Sequence, residues 1–227
     1  MNVVDFSFSD NAKDFDNHIG RSIPGYGELI GTCVRLSRRF VQPGTTVVDV
    51  GCSTGRLLAQ IHRHNQAARA DVKYVGLDVV PDFRTHWDEL TNESVHFEVC
   101  DVRAYEGFQN LSLALDLFTT PFLRPQDKMP LLMEIHDGLV EGGALIITEK
   151  TLAKSGRMQD ALAFTYYDYK LEQGFSEKDL LDKERSLRGN MTLWTEAELK
   201  KLLWQVGFRD IEPIWRNLGF VGMLALK

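Results

Sequence analysis

Cysteine is scarce in this 227-residue chain: Cys33, Cys52 and Cys100 are odd in number and show no metal-ligand spacing. Neither a disulfide framework nor a zinc site is indicated, and each thiol reads as a small buried filler. Long apolar runs are missing too; none approaches the roughly 20 residues needed to cross a bilayer. The amino-terminal stretch, with Asp5, Asp10, Asp14 and Asp16, does not read as a signal peptide, so the expected location is cytoplasmic. Positive charge is in deficit, with 26 Lys+Arg against 32 Asp+Glu and a net charge of −6. Proteins that grip nucleic acid present a basic surface to the phosphates, so this balance favours a small-molecule substrate and no direct nucleic-acid contact. The local patch Arg35-Leu36-Ser37-Arg38-Arg39 is read as the cationic end of a first helix. Internal repeats and low-complexity tracts are also absent. At 44% hydrophobic and 26% charged residues, the composition is that of a globular sheet domain with a helical insertion.

The most informative segment is Thr46-Val47-Val48-Asp49-Val50-Gly51-Cys52-Ser53-Thr54-Gly55. Its β-branched run, interrupted by one carboxylate, suits a strand covered on both faces. Gly51 and Gly55 then allow a sharp turn and a close backbone approach before a helix opens. A dinucleotide fingerprint wants glycines at the first, third and sixth positions of such a turn. Those positions hold Gly51, Ser53 and Arg56, and a long cation at the last does not suit a tight helix–strand contact. The acid-Val-Gly-x-Ser-x-Gly pattern instead resembles the first motif of the S-adenosylmethionine (SAM) dependent methyltransferases, where the turn passes under the amino acid and ribose of the ligand.

Two further strands end in acids. Lys73-Tyr74-Val75-Gly76-Leu77 leads to Asp78-Val79, and Val95-His96-Phe97-Glu98-Val99-Cys100 leads to Asp101-Val102. Ligands of open α/β sheets bind at such carboxyl ends. In methyltransferases of this shape, the second-strand carboxylate accepts a ribose diol. The third lies beside the adenine, with its apolar neighbour covering the ring. Helices are expected over Tyr26–Phe40, Gly55–His64, Pro81–Leu90, Lys128–Val140 and Trp194–Val206, the last opened by Thr195-Glu196-Ala197-Glu198. Further strands are expected at Leu111–Phe118, Ala144–Thr148, Ile211–Trp215 and Phe220–Ala225, the last two paired antiparallel. The expected fold is a doubly wound, mostly parallel seven-stranded α/β sheet of the class I SAM methyltransferase, Rossmann-like kind. It forms a single domain over residues 1–227, with an amino-terminal segment 1–25, the first fourteen or so residues loosely held, and a helical lid insertion 151–193 broken at Gly174 and Gly189. The insertion is dense in aromatics: Phe164, Tyr166, Tyr167, Tyr169 and Phe175. Such density reads more readily as core or subunit interface than as a substrate cage.

A closer resemblance runs from about Phe15 to Lys227. Arg21-Ser22-Ile23-Pro24-Gly25-Tyr26, Arg39-Phe40-Val41-Gln42-Pro43-Gly44-Thr45, Gly142-Gly143-Ala144-Leu145 with Glu149-Lys150, Gly174-Phe175-Ser176-Glu177, Arg185-Ser186-Leu187 and Leu224-Ala225-Leu226-Lys227 carry it. In order and spacing they are similar to the carboxy-SAM synthases of bacterial transfer-RNA wobble-uridine modification. The resemblance implies a homodimer that converts SAM and prephenate to carboxy-SAM and phenylpyruvate, the carboxyl being captured on the SAM methyl carbon through a sulfonium ylide. It also implies that Arg185 holds the new carboxylate, a task suited to the rigid guanidinium fork, and that Tyr26 lies near the cofactor. Three departures stand out: Leu117 replaces a ligand-contacting asparagine of the family, Tyr166-Tyr167 replaces a histidine pair, and one residue is added before Arg185. Losing a polar contact of that kind costs about 1 kcal/mol. The departures keep open a dedicated small-molecule carboxymethylation pathway, and the alternative of a conventional small-molecule methyltransferase on the same scaffold. The candidate cofactor set, for SAM or carboxy-SAM, is Tyr26, Asp49, Gly51, Cys52, Ser53, Gly55, Asp78, Val79, Asp101, Val102, Leu117 and Arg185, with Arg185 also the catalytic candidate and no metal. His18 is at most a distant candidate for proton transfer.

Overall fold

The computed structural model describes residues 14–69 and 71–227. The loosely held segment expected at the start of the chain therefore falls, apart from Asp14, outside the described residues. Seven strands form one sheet in the order β3-β2-β1-β4-β5-β7-β6. These are β1 (Thr46–Val50), β2 (Lys73–Asp78), β3 (Val95–Val99), β4 (Leu111–Leu117), β5 (Leu139–Lys150), β6 (Asp210–Asn217) and β7 (Phe220–Leu226). Strands β1 to β5 run parallel, and β7 pairs antiparallel with both β5 and β6. The helices are α1 (Phe15–Ser22), α2 (Tyr26–Phe40), α3 (Arg56–Asn65), α4 (Arg84–Trp87), α5 (Pro125–Gly138), α6 (Gly156–Glu172), α7 (Glu177–Leu187) and α8 (Glu196–Val206).

Strand alternation assigns side chains to two cores, as the period of two requires. Val48, Val50, Ala114, Leu145 and Ile147 face one layer, where they meet Leu132 and Ile135 of α5 and Leu199 and Leu203 of α8. Val47, Leu113, Leu115, Ala144 and Ile146 face the other, against Leu29 and Cys33 of α2 and Leu58 and Ile61 of α3. Helices on both faces explain why the central strands read as continuous apolar runs. Among the described residues, no helix is long and apolar enough to cross a membrane.

Several boundaries differ from those the sequence suggests. The helix expected over Pro81–Leu90 is a 3-10 turn at Pro81–Phe83 followed by the four-residue α4. It stops because Trp87 turns inward and Asn92 receives the backbone N–H groups of Ser94 and Val95, bending the chain into β3. The fifth strand begins at Leu139, five residues before the expected Ala144, because Leu139 already pairs with Leu111. Helix α8 starts after Thr195, whose hydroxyl accepts from the Glu198 N–H while Glu198 reaches back to the Thr195 N–H. The insertion folds as α6 and α7, broken at Gly174 (φ +86) and followed by Gly189 (φ +86).

Candidate functional site

A cavity of about 750 Å³ opens where the carboxyl ends of β1 to β4 meet α1, α2, α6 and α7. Of the residues singled out from sequence, Tyr26, Asp49, Gly51, Cys52, Ser53, Asp78, Val79, Asp101, Val102 and Leu117 all line it. Gly55 and Arg185 do not. Gly55 sits behind the turn with φ +76, and a Cβ there would lie 2.4 Å from the Phe97 ring. Glycine serves there the turn and its packing. Arg185 points outward from α7: its side chain is 69% exposed and lies 3.7 Å from Asp182 one turn earlier. In the single chain, Arg185 is therefore not brought to this cavity. The reason is helical phase: Leu180, Lys183, Glu184 and Leu187 take the inward face, and a residue two positions beyond Lys183 is turned by about 200°, to the opposite face.

The turn after β1 is built from short contacts. Gly51 (φ +75) and Ser53 (φ +46) take left-handed conformations. Thr119 packs where a Gly51 Cβ would stand, its Oγ1 only 1.9 Å from that position, and donates to the Val50 carbonyl at 2.8 Å. Beneath the turn, the Trp87 indole donates to the Ser53 carbonyl at 2.8 Å and stacks on Phe97 at 5.4 Å. Asp78 closes the loop from β2: one carboxylate oxygen accepts from the Ser53 N–H at 2.8 Å, the other from the Val80 N–H at 2.9 Å. Asp116, buried at the end of β4, accepts from the backbone N–H groups of Thr119 and Thr120 and from the Thr120 hydroxyl. That clasp sets Phe118 in a left-handed conformation (φ +65) and directs Leu117, Phe118 and Thr119 to the cavity.

The cavity is lined by groups of both charges. Burial pushes Asp49 up to about 8, reinforced by the carboxylates of Asp78 and Asp116. Asp78 is also raised by burial, against the pull of its backbone hydrogen bonds. Such carboxylates call for a partner with donors or positive charge, and a ligand carrying a ribose diol and an ammonium supplies both. The glycine turn and these acids thus fit the adenosyl amino acid that the motif suggests. Asp101 differs from expectation: Arg103 grips its carboxylate through Nε and Nη2 and extends to Asp127 at 3.1 Å, holding Asp101 below the usual carboxylate range. Any contact from Asp101 to an adenine amine has to compete with that guanidinium. Lys150, Lys170 and Lys183 also line the cavity, with His18, whose pKa is lowered by burial and by Lys183, Lys170 and Arg21. Sequence reasoning missed these lysines, Arg103 and Thr119. The available signal was Leu180 and Leu187 at i−3 and i+4 from Lys183, and Tyr166 and Tyr167 at i−4 and i−3 from Lys170. Among the described residues, no group of three His, Cys, Asp or Glu could hold a metal.

No family model matches the chain. It is 31% identical to a carboxy-S-adenosyl-L-methionine synthase of Shewanella halifaxensis over 231 residues, covering 99% of this chain and 94% of the relative. The same enzyme of Actinobacillus pleuropneumoniae is 32% identical, with 98% and 94% covered; that of Staphylococcus epidermidis is 27% identical, with 98% and 96% covered. Among solved structures, the fold is shared with a plantazolicin methyltransferase determined with S-adenosylhomocysteine (TM-score 0.68, 13% identity, 96% of this chain and 91% of that one). It is also shared with the 1,6-didemethyltoxoflavin N1-methyltransferase of Burkholderia thailandensis (TM-score 0.59, 20% identity, 95% and 86%).

Proposed function

The chain belongs to the carboxy-S-adenosyl-L-methionine synthase family, SAM-dependent transferases, and from that premise we propose that it converts SAM and prephenate to carboxy-SAM and phenylpyruvate. The atoms balance with one water. Prephenate gives up its ring carboxyl as CO2 and its ring hydroxyl as its ring becomes aromatic. The SAM methyl loses one proton, which leaves with the hydroxyl, and gains the CO2. The observation that carries the reading is a single cavity whose lining brings the strand-tip acids Asp49, Asp78 and Asp101 together with Lys150, Lys170 and Lys183. A sulfonium-bearing adenosyl amino acid and a dianionic acid can meet there.

In this reading the Gly51-Cys52-Ser53 turn and Asp49 receive the amino acid portion, Asp78 the ribose, and Asp101 with Val79 and Val102 the adenine. Tyr26 and Leu117 close the cavity near the reacting methyl. The site's own contribution is to bind, orient and exclude water, which strengthens the electrostatic terms inside it. Helices α6 and α7 cover the site as an insertion of the same domain. The carboxy-SAM made serves transfer-RNA modification or a dedicated small-molecule pathway.

A homodimer belongs to the same reading. Phe164 on α6 and Leu181 on α7 are 66% and 51% exposed, and apolar faces of that kind mark interfaces. Arg185 lies one turn from Leu181 and enters the reading as an interface residue. A second reading, methyl transfer to an aromatic acceptor, draws on Leu117, Tyr166 and Tyr167, which give the cavity an apolar wall. Incubation of the purified protein with SAM and prephenate tests the two. Carboxy-SAM and phenylpyruvate forming together support the first; S-adenosylhomocysteine forming in step with a methylated acceptor, prephenate being inert, supports the second.

A further inference from the structure

The lysines of the cavity carry an imbalance that the cofactor cradle does not resolve. Lys170 on α6 is only 5% exposed, yet its ammonium meets aromatic faces: the Phe175 centroid at 4.4 Å and the Tyr166 centroid at 5.7 Å. Lys150, from the end of β5, also lies over the Tyr166 ring, 5.3 Å from its centroid, and reaches Glu184 at 3.7 Å. Among the described residues no carboxylate stands within ion-pair distance of Lys170; Glu184 is taken by Lys150, and Asp179 is occupied in capping α7 through Ser176. Burial and the Lys150 charge accordingly lower the Lys170 pKa, and burial with Lys170 pulls Lys183 down to about 8.

An aromatic face attracts a cation but accepts N–H donors poorly, so an ammonium that lines the cavity with three donors is left short of protein acceptors. A carboxylate entering the cavity would supply them. Beside the lysines, Tyr166, Phe220 and Phe118 form an edge-to-face wall, with Tyr166 to Phe220 at 5.3 Å and Phe118 to Phe220 at 6.0 Å. Such a wall suits a flat six-membered ring.

We propose that Lys170, supported by Lys183 and Lys150, anchors a carboxylate of the second substrate, a ring-bearing organic acid whose body packs on the Tyr166, Phe220 and Phe118 wall. The inference rests on the reaction assigned above, and it names the residues that hold the acid. A carboxylate could also come from the amino acid part of the cofactor. In the reading above the Gly51-Cys52-Ser53 turn and Asp49 take that part, so the lysines are assigned to the second substrate.

The test separates binding from turnover. Phenylsuccinate, an aromatic diacid with no carboxyl to transfer in this reaction, is titrated calorimetrically into the protein saturated with S-adenosylhomocysteine. Wild type is expected to bind it. Lys170→Met and Lys183→Gln are each expected to weaken it at least tenfold, and Lys170→Arg is expected to recover most of the loss. S-adenosylhomocysteine affinity should stay within twofold in all of them, which also verifies that the variants fold. No binding by wild type, unchanged binding in both neutral variants, or a tenfold loss of S-adenosylhomocysteine affinity would each overturn the assignment, the last giving the lysines to the cofactor. Prephenate turnover is measured alongside. If the diacid depends on Lys170 while prephenate and SAM yield no carboxy-SAM, the reaction assignment falls and the anchor stands.

Discussion

Replacing Gly51 by alanine should damage the cofactor turn through one neighbour, Thr119, and the size of the effect follows from the geometry. A Cβ at position 51 would stand 1.9 Å from Thr119 Oγ1 and 2.9 Å from both its Cβ and Cγ2, so that side chain must leave. Leaving breaks its hydrogen bond to the Val50 carbonyl, worth about 1 kcal/mol. The φ of +75 adds left-handed strain of roughly 1–2 kcal/mol for any residue with a Cβ. Repacking a filled site adds on the order of 1–3 kcal/mol. The total, about 4 kcal/mol, corresponds to a fall in Tm of about 10 °C for a chain of this size. The discriminating assay is a double-mutant cycle by thermal and denaturant unfolding. In a Thr119→Gly background the three clashing atoms are gone, so Gly51→Ala should cost only the conformational strain, about 1–2 kcal/mol. An equal cost in both backgrounds, or a Gly51→Ala variant as stable as wild type, would refute the close-approach argument.

Three further outcomes are expected. Glu149 is buried with both carboxylate oxygens lacking a hydrogen bond and is pushed up to about 8, chiefly by burial, with Lys128 opposing. The folded state therefore holds a proton that the unfolded chain releases above its ordinary value of 4.5. Stability should fall as pH rises from there to about 8, by at most about 1.4 kcal/mol per pH unit from this group. Glu149→Gln should gain on wild type across that window, and a difference independent of pH in urea titrations would contradict it. Tyr166→Phe keeps the ring against Phe220 but loses the hydroxyl that donates to the Ser22 carbonyl at 2.9 Å; a loss of about 1 kcal/mol is expected by the same unfolding assay, and no loss would mean that α6 is not tied to α1 through this bond. Leu181→Glu, on the exposed apolar face of α7, should shift sedimentation from dimer to monomer, whereas a wild-type protein already monomeric would remove the interface reading.

Much of the architecture was legible because its signals are local. The β1 run, its acid and the glycine turn are contiguous, and the tips at Asp78 and Asp101 repeat the pattern at the ends of neighbouring strands. Ten of the twelve candidate residues consequently reach one cavity. What failed was the direction of side chains on elements placed by tertiary packing. Lys183 and Arg185 are two positions apart in a charged stretch, and only the packing of Leu180 and Leu187 decides that the lysine faces in. The capture of Asp101 by Arg103 depends on a 3-10 turn that brings the two together. The demand for glycine at Gly51 comes from Thr119, which lies 68 residues further along the chain and has no sequence signature. The early end of α4 was likewise set by Trp87 finding a carbonyl in the β1 turn.

In the proposed function this cavity holds SAM beside an acid, and a carboxyl is transferred to the SAM methyl. Native mass spectrometry of the protein purified from bacteria bears on it most directly. A bound ligand heavier than SAM by one CO2, released intact on denaturation, is expected. SAM or S-adenosylhomocysteine alone, persisting after incubation with SAM and prephenate, would contradict it.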